Sequence, residues 1–164
     1  MAERSLDSLS IAERSLRMSK VRSRGNASTE IALLRLLRGA KISGWRRHLK
    51  ITGIPDFGFP QLHVAIFVDG CFWHGCSRCR RKVPSKNRTF WSRKIASNRS
   101  RDRKARWHLR RSGWIVVRIW EHEFKNPERV VGRLQMVLAR AGNQVSRDAP
   151  NANATSASVD RKIS

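Results

Sequence analysis

Apolar and polar positions recur at two spacings along this chain, and the change of spacing predicts its elements. In STEIALLRLLRGA, Glu30, Leu33, Leu34 and Leu37 share one face at a 3.6-residue period. The stretch therefore predicts a helix capped at Ser28 or Thr29 and stopped at Gly39. An acid on that apolar face is unusual and marks Glu30 for attention. Short strands are expected at WRRHL (45–49) and PDFGF (55–59). HVAIFVDG (63–70) is almost continuously apolar, the pattern of a central strand buried on both faces. Residues 89–112 predict a long basic helix ended by Gly113, and WIVVRIW (114–120) predicts a second buried strand. Asn126 and Pro127 then supply an N-cap and a first-turn proline to a helix with Val130, Leu134 and Val137 inside. The order α-β-β-β-α-β-α implies an α/β fold, a mixed sheet flanked by helices.

The flanks lack this rhythm. Residues 1–24 are polar and basic and predict a flexible segment that orders on a ligand. NQVSRDAPNANATSASVDRKIS is rich in Asn, Ser and Ala and predicts a disordered tail over 142–164, leaving 25–141 as the folded domain. Charge sharpens the picture: 35 Lys+Arg stand against 12 Asp+Glu, a formal net charge of +23. A surplus of that size points to a polyanionic partner, foremost nucleic acid. It is concentrated in residues 78–118, where sixteen Lys/Arg face the single acid Asp102. No salt-bridged face can be built from that ratio, so the stretch reads as a phosphate-contacting surface. Phe72, Trp73, Phe90, Trp91 and Trp107 are interleaved with it. Aromatic side chains can wedge between base steps, and Trp73, with polar neighbours, suits that role. Trp91 aligns with Ile95 and Leu109, which leaves it either in the core or on DNA. No apolar run approaches the ~18 residues of a membrane span, and the acid-bearing N-terminus lacks a signal-peptide core. A cytoplasmic, bacterial-type protein is expected.

Candidate chemistry centres on FVDGCFWHGCSRC, residues 67–79, which holds all three cysteines. Cys76 and Cys79 alone would suit a redox pair, but Cys71 makes a third thiolate, and a metal accounts for three better than a dithiol accounts for two. Zn²⁺ takes four sulfur or nitrogen ligands. His122, at the end of the buried strand WIVVRIW, is the expected fourth; His108 on the basic helix and His74 inside the loop are poorer choices. A site closed by four protein ligands holds structure and does no chemistry. The carboxylates suggest a second ion. Asp56 lies on one strand and Asp69 ends the next, and a carboxylate beside a strand-end carbonyl suits Mg²⁺. Asp56 after Pro55 also fits a plain turn. His74 beside such a site suits a general base, or an exposed histidine without a role. Asp102 falls on the inward line of the basic helix with Ile95, Ala105 and Leu109, either to orient His74 or to neutralise a buried arginine.

Taken together, MSKVRSRGNASTEIALLRLLR, PDFGFP, VAIFVDGCFWHGC, FWSRKIASNRSRDR and GWIVVRIWE resemble the very-short-patch repair (Vsr) DNA mismatch endonucleases, over about Met18 to Phe124. The resemblance implies a restriction-endonuclease-like fold of the PD-(D/E)XK type with a structural zinc. It implies Mg²⁺-dependent nicking of one strand 5′ to the thymine of a T:G mismatch in double-stranded DNA. It also implies a monomer acting at the nucleoid, linked functionally to a cytosine methyltransferase whose product deaminates to thymine. Residue by residue, Asp56 would be the metal-binding carboxylate and Val68 would offer its backbone carbonyl. His74 would be the catalytic histidine, and Glu30 an acid brought to the site by the first helix. Asp69 and Asp102 would complete the catalytic group. Cys71 and Cys76 match zinc positions, with Cys79 and His122 completing four. Phe72 and Trp73 match the aromatics that enter DNA, with Trp91 a possible third, and Lys20, Arg22 and Arg24 belong to the basic N-terminal segment that contacts it. Two departures stand out. The family pattern has histidine where this chain has Asp69. Its histidine-rich zinc loop is GCSRC here, and its strand-end cysteine is His122, an exchange of sulfur and nitrogen that still totals four ligands.

Overall fold

A computed structural model describes residues 29–148. The first helix, α1, is Glu30–Gly39, followed by β1 at Arg46–Arg47 and β2 at Phe57–Phe59. A 3₁₀ turn over Pro60–Leu62 leads into β3, Val64–Asp69. The long helix α2 spans Arg88–Arg111, β4 spans Ile115–Trp120, and a second 3₁₀ turn, Glu121–Lys125, leads into α3, Pro127–Asp148. The four strands form one sheet in sequence order. β1 and β2 pair antiparallel, β2 and β3 antiparallel, and β3 and β4 parallel from Val64↔Ile115 to Asp69↔Trp120. A parallel pair needs a crossover, and α2 supplies it.

Strand parity divides the molecule into layers. Val64, Ile66, Val68, Val117 and Ile119 join Phe57 and Phe59 in one core with Leu33 and Leu37 of α1 and Val130, Leu134 and Ala141 of α3. The residues between them, Phe67, Asp69, Arg118 and Trp120, project to the face that α2 covers with Trp91, Ala105 and Leu109. The α/β architecture expected from the apolar pattern is present, with α1 and α3 on one face of the mixed sheet and α2 on the other.

Three boundaries differ from expectation. WRRHL contributes only Arg46–Arg47 to the sheet, because His48 takes a left-handed backbone, φ 48°, and ends the pairing. Asp56 stands just ahead of β2 instead of within it. The proposed tail is helical through Asp148, well past residue 141. Gly142, Asn143 and Ser146 are poor helix formers, but extending an existing helix costs far less than nucleating one. Ala141 is buried, and Ser146 Oγ donates to the Gly142 carbonyl at 3.0 Å. Residues 1–24, with Lys20, Arg22 and Arg24, and the end of the expected tail lie outside the described residues. Among the described residues no helix is long and apolar enough to cross a membrane.

Candidate active site and cysteine cluster

The C-terminal ends of β3 and β4 gather nearly every residue singled out in the sequence. Crevices outside the carboxyl ends of parallel strands are where α/β proteins place their sites. Asp56, at the adjacent start of β2, turns its carboxylate across the strand gap and accepts a hydrogen bond from the Val68 N–H at 2.7 Å. Glu30, buried at the first turn of α1, faces it. Ligand-type atoms of Glu30, His48 and Asp56 all lie within 4.8 Å of one another. Arg47 Nη2 donates to Glu30 at 2.6 Å, and His48 Nε2 stands 3.4 Å from the same oxygen. Burial raises the Asp56 carboxyl most, and the charges of Glu30 and Asp69 add to it; the Val68 N–H pulls the other way, and the net result is a pKa near 6. Crowded carboxylates held out of water have the character of a cation site. Glu30 on the apolar face of α1 thus joins this group, while His48 and Arg47 were not anticipated.

A second group sits one residue further along β3. His74 Nδ1 lies 2.6 Å from Asp102 Oδ2 and 3.4 Å from Asp69 Oδ1. An ionised carboxylate only accepts, so Nδ1 carries the proton, and in the neutral ring Nε2 keeps a free lone pair. Burial opposes ionisation of Asp102, but the hydrogen bond and charge of His74, then the charges of Arg118 and Arg101, outweigh it and hold the carboxyl below its usual range. Arg118 was not foreseen. Its Nε donates to Asp69, its Nη2 stands 3.9 Å from Asp102, and its guanidinium lies 4.2 Å over the Trp120 ring. Asp102 therefore does both things the sequence left open: it orients His74 and lies beside a partly buried arginine. Asn98, also missed, is buried on the inward face of α2 and donates from Nδ2 to the Trp73 carbonyl at 3.0 Å. It stands seven residues after Trp91 and seven before Ala105, so helical spacing marks it despite its polarity.

The cysteines converge as their spacing suggests. Cys71, Cys76, Cys79 and His122 place their ligand atoms within 4.8 Å of one another. Cys71 Sγ is 3.3 Å and Cys76 Sγ 3.6 Å from His122 Nδ1, and Cys79 Sγ is 3.5 Å from Cys71 Sγ. A tetrahedral ion with sulfur at ~2.3 Å and nitrogen at ~2.0–2.1 Å has ligand edges of about 3.5–3.8 Å, so the separations fit zinc and no disulfide is formed. Burial is the main influence that pushes the Cys71 thiol up, to about 12. Three sulfurs this close could all ionise only beside a cation. His108, the alternative fourth ligand, is exposed on α2 and outside the group, and His74 belongs to the acid pair. The Cys71 N–H donates to Glu121 at 3.1 Å, which fastens the loop to the end of β4.

Between Cys71 and Cys76 the loop carries Phe72, Trp73 and His74, all part-exposed. Phe72 and Trp73 meet edge to face at 5.2 Å, and Trp91 packs under both at 5.6 and 5.9 Å. Trp91, which the sequence left between the core and DNA, is buried here as the floor on which the two loop aromatics stand. The outer surface of α2 is basic, with Arg88, Arg93, Lys94, Arg99, Arg103, Lys104, Arg110 and Arg111 exposed.

This geometry can bind a hard cation beside a strand-end backbone and present an unprotonated imidazole nitrogen next to it, below a basic surface. Comparisons with known proteins agree with that reading. The profile of the family described as DNA mismatch endonuclease Vsr matches residues 6–81. The type II nicking enzyme V.XorIIP of Xanthomonas oryzae pv. oryzae is 35% identical over 133 residues, 80% of this chain and 96% of that protein. The type II nicking enzyme V.HpaIIP of Haemophilus parainfluenzae is 32% identical, covering 81% of this chain and 96% of its own length. The DNA mismatch endonuclease Vsr of Escherichia coli K12 is 34% identical over 119 residues, 73% of this chain and 76% of that enzyme. The chain therefore belongs to the Vsr family of DNA endonucleases.

Proposed function

We propose that this protein is a Mg²⁺-dependent endonuclease that nicks one strand of duplex DNA 5′ to the thymine of a T:G mismatch. The observation that carries the reading is the adjacency of two groups at one strand end: Asp56 against the Val68 backbone with Glu30, and His74 on Asp102 and Asp69. Both are components a phosphodiester hydrolase requires, an ion site and a base for water. The fold reads accordingly as restriction-endonuclease-like.

Asp56 and the Val68 carbonyl would hold the Mg²⁺, the residues fitting a hard ion through a crowded carboxylate and a strand-end backbone. When bound, the ion supplies charge for the phosphate oxygens and lowers the pKa of water. Glu30 sets the electrostatics of Asp56 and is itself restrained by Arg47. His74 accepts the proton of the attacking water at Nε2, while Asp102 fixes the ring through Nδ1. Arg118 steadies both acids. Cys71, Cys76, Cys79 and His122 would hold a structural Zn²⁺ that fixes the loop carrying Phe72, Trp73 and His74. Phe72 and Trp73 on the Trp91 floor suit insertion at a base step. An unstacked step costs roughly a few kcal/mol, and a mismatch lowers that cost. Lys20, Arg22 and Arg24 are assigned to the DNA backbone. The protein would act as a monomer in the bacterial cytoplasm, at the nucleoid, downstream of a cytosine methyltransferase.

Relatives named as type II nicking enzymes favour a second reading, the same chemistry directed to another target. One assay addresses both. Labelled duplexes carry a single T:G pair in several flanking contexts beside matched controls, with native protein and Asp56→Ala. A Mg²⁺-dependent nick beside the thymine, abolished in the variant, is expected. Equal cutting of matched DNA would reject mismatch recognition, and no cutting in any context would reject the nuclease.

A further inference from the structure

Four arginines and one indole on the outer face of α2 remain outside the site. Trp107 is 53% exposed, an uncommon state for the largest apolar side chain. It lines a groove of about 350 Å³ with Arg103, Arg106, Arg110 and Arg111. Arg111 already lies 4.8 Å over the indole ring. Among the described residues none of the four arginines forms an ion pair. Like charges three and four residues apart, as Arg103 with Arg106 and Arg106 with Arg110 are, destabilise a helix by a few tenths of a kcal/mol per pair. The charges of Asp69 and Asp102 offset part of that repulsion at Arg106, without an ion pair to any of the four. Arginine guanidinium groups recognise phosphate through paired donors, and an open aromatic face accepts any nucleobase. The groove has both, and its lining holds no acid.

Position along α2 separates the groove from the acids. Trp107 follows Asp102 by five residues, about 7.5 Å of helix rise and about 140° of turn, so the exposed indole faces away from the acids. Bases inside an intact duplex offer no open face to an indole, whereas an unpaired nucleotide does.

The geometry points to a second nucleic-acid site at Trp107, where an unpaired nucleotide of single-stranded DNA stacks on the indole while Arg103, Arg106, Arg110 and Arg111 hold its flanking phosphates. The proposal extends the nuclease reading, since the single strand would belong to the DNA being cut, but binding needs no cleavage.

The test measures binding of labelled (dT)₁₀ and of a matched duplex without Mg²⁺, by fluorescence anisotropy, for native protein, Trp107→Ala, Trp107→Phe and Arg110→Ala/Arg111→Ala. Trp107→Ala is expected to weaken (dT)₁₀ binding about tenfold, Trp107→Phe to restore most of it, and duplex affinity to change less than about twofold. The double arginine variant is expected to flatten the salt dependence for (dT)₁₀ by about 1.4 in log–log slope, near 0.7 per lost phosphate contact. Unchanged (dT)₁₀ affinity in Trp107→Ala would overturn the site. Equal loss on single strand and duplex would overturn the stacking role and leave a plain phosphate track. Because no step requires cutting, a protein that fails the mismatch-nicking assay yet passes this one separates the two readings.

Discussion

Replacing Asp56 by Asn should make the protein more stable while abolishing its activity, and the structure gives the size and pH window of the gain. Asp56 is raised from 3.8 to about 6 in the fold, first by burial and then by Glu30 and Asp69. A carboxyl raised by folding binds its proton more tightly in the native state than in the unfolded one. Its native state is therefore favoured least where the unfolded group has ionised and the native group must follow. The penalty is absent below about pH 3.8, grows as pH rises through the interval to about 6, and is constant above it. A shift of about two units at about 1.4 kcal/mol per unit sets the upper end near 3 kcal/mol. Asn keeps an oxygen that can accept the Val68 N–H and carries no charge. Urea unfolding of both proteins in Mg²⁺-free buffer, at intervals from pH 3.5 to 7.5, should show Asp56→Asn ahead by about 1–3 kcal/mol at pH 7.5, by about a third of that at pH 4.5, and nearly level at pH 3.5. Adding Mg²⁺ should raise the stability of native protein and leave the variant unchanged, since ligand binding to the folded state alone adds stability. A variant less stable at pH 7.5, or a difference independent of pH, would refute the account of Asp56 as a strained anion awaiting a cation.

Other perturbations follow the same geometry. Asp102→Asn should lower kcat for nicking by about 10²–10⁴ with little change in DNA affinity, because the ring loses its orienting anion; a parallel loss of affinity would assign Asp102 to binding instead. Native protein should contain close to one zinc per chain by metal analysis, His122→Ala substantially less, and chelation should lower the melting temperature of the native protein by several degrees; a metal-free, equally stable protein would return the cysteines to a redox role. Trp91→Ala should cost about 3–5 kcal/mol in unfolding experiments as a core truncation, whereas Trp73→Ala should leave stability within about 1 kcal/mol and weaken mismatch binding; the opposite pattern would exchange floor and wedge.

What the sequence revealed and what it hid divide along a physical line. Glu30, Asp69 and the cysteines were legible because each breaks a strong local rule: an acid on an apolar helix face, an acid at the end of an apolar strand, three thiols in one loop; Asp56, which a plain turn explains as well, was marked only by the resemblance. His122 was legible because both buried strands had to end together for their apolar runs to pair, and the register Asp69↔Trp120 brings their ends side by side. His48 and Arg118 were not, since each depends on contacts set by register and turn geometry. His48 reaches Glu30 only because its left-handed backbone breaks β1 off early. Arg118 looked like one charge in an apolar strand; which acid it meets depends on how β4 aligns with β3. The helical extension through Asp148 was hidden for a different reason, because composition reports intrinsic preference and says little about a helix already anchored by Leu134 and Ala141.

The buried aspartate at position 69 is made tolerable by Arg118. A buried carboxylate without a partner is costly, and Asp69 is buried beside a second carboxylate, Asp102. Arg118 projects from β4 to the same face, donates through Nε to Asp69, and lies near Asp102 through Nη2. Trp120, two residues on and on the same face, stacks against its guanidinium and holds it in place. Arg101 also acts on Asp102, and Arg106 on both acids, and His74 stands against both acids. Arg118 thus supports Asp69, which in turn stands against His74, and the cysteine cluster, fixing Cys71 and Cys76 on either side of His74, limits how far that ring can drift.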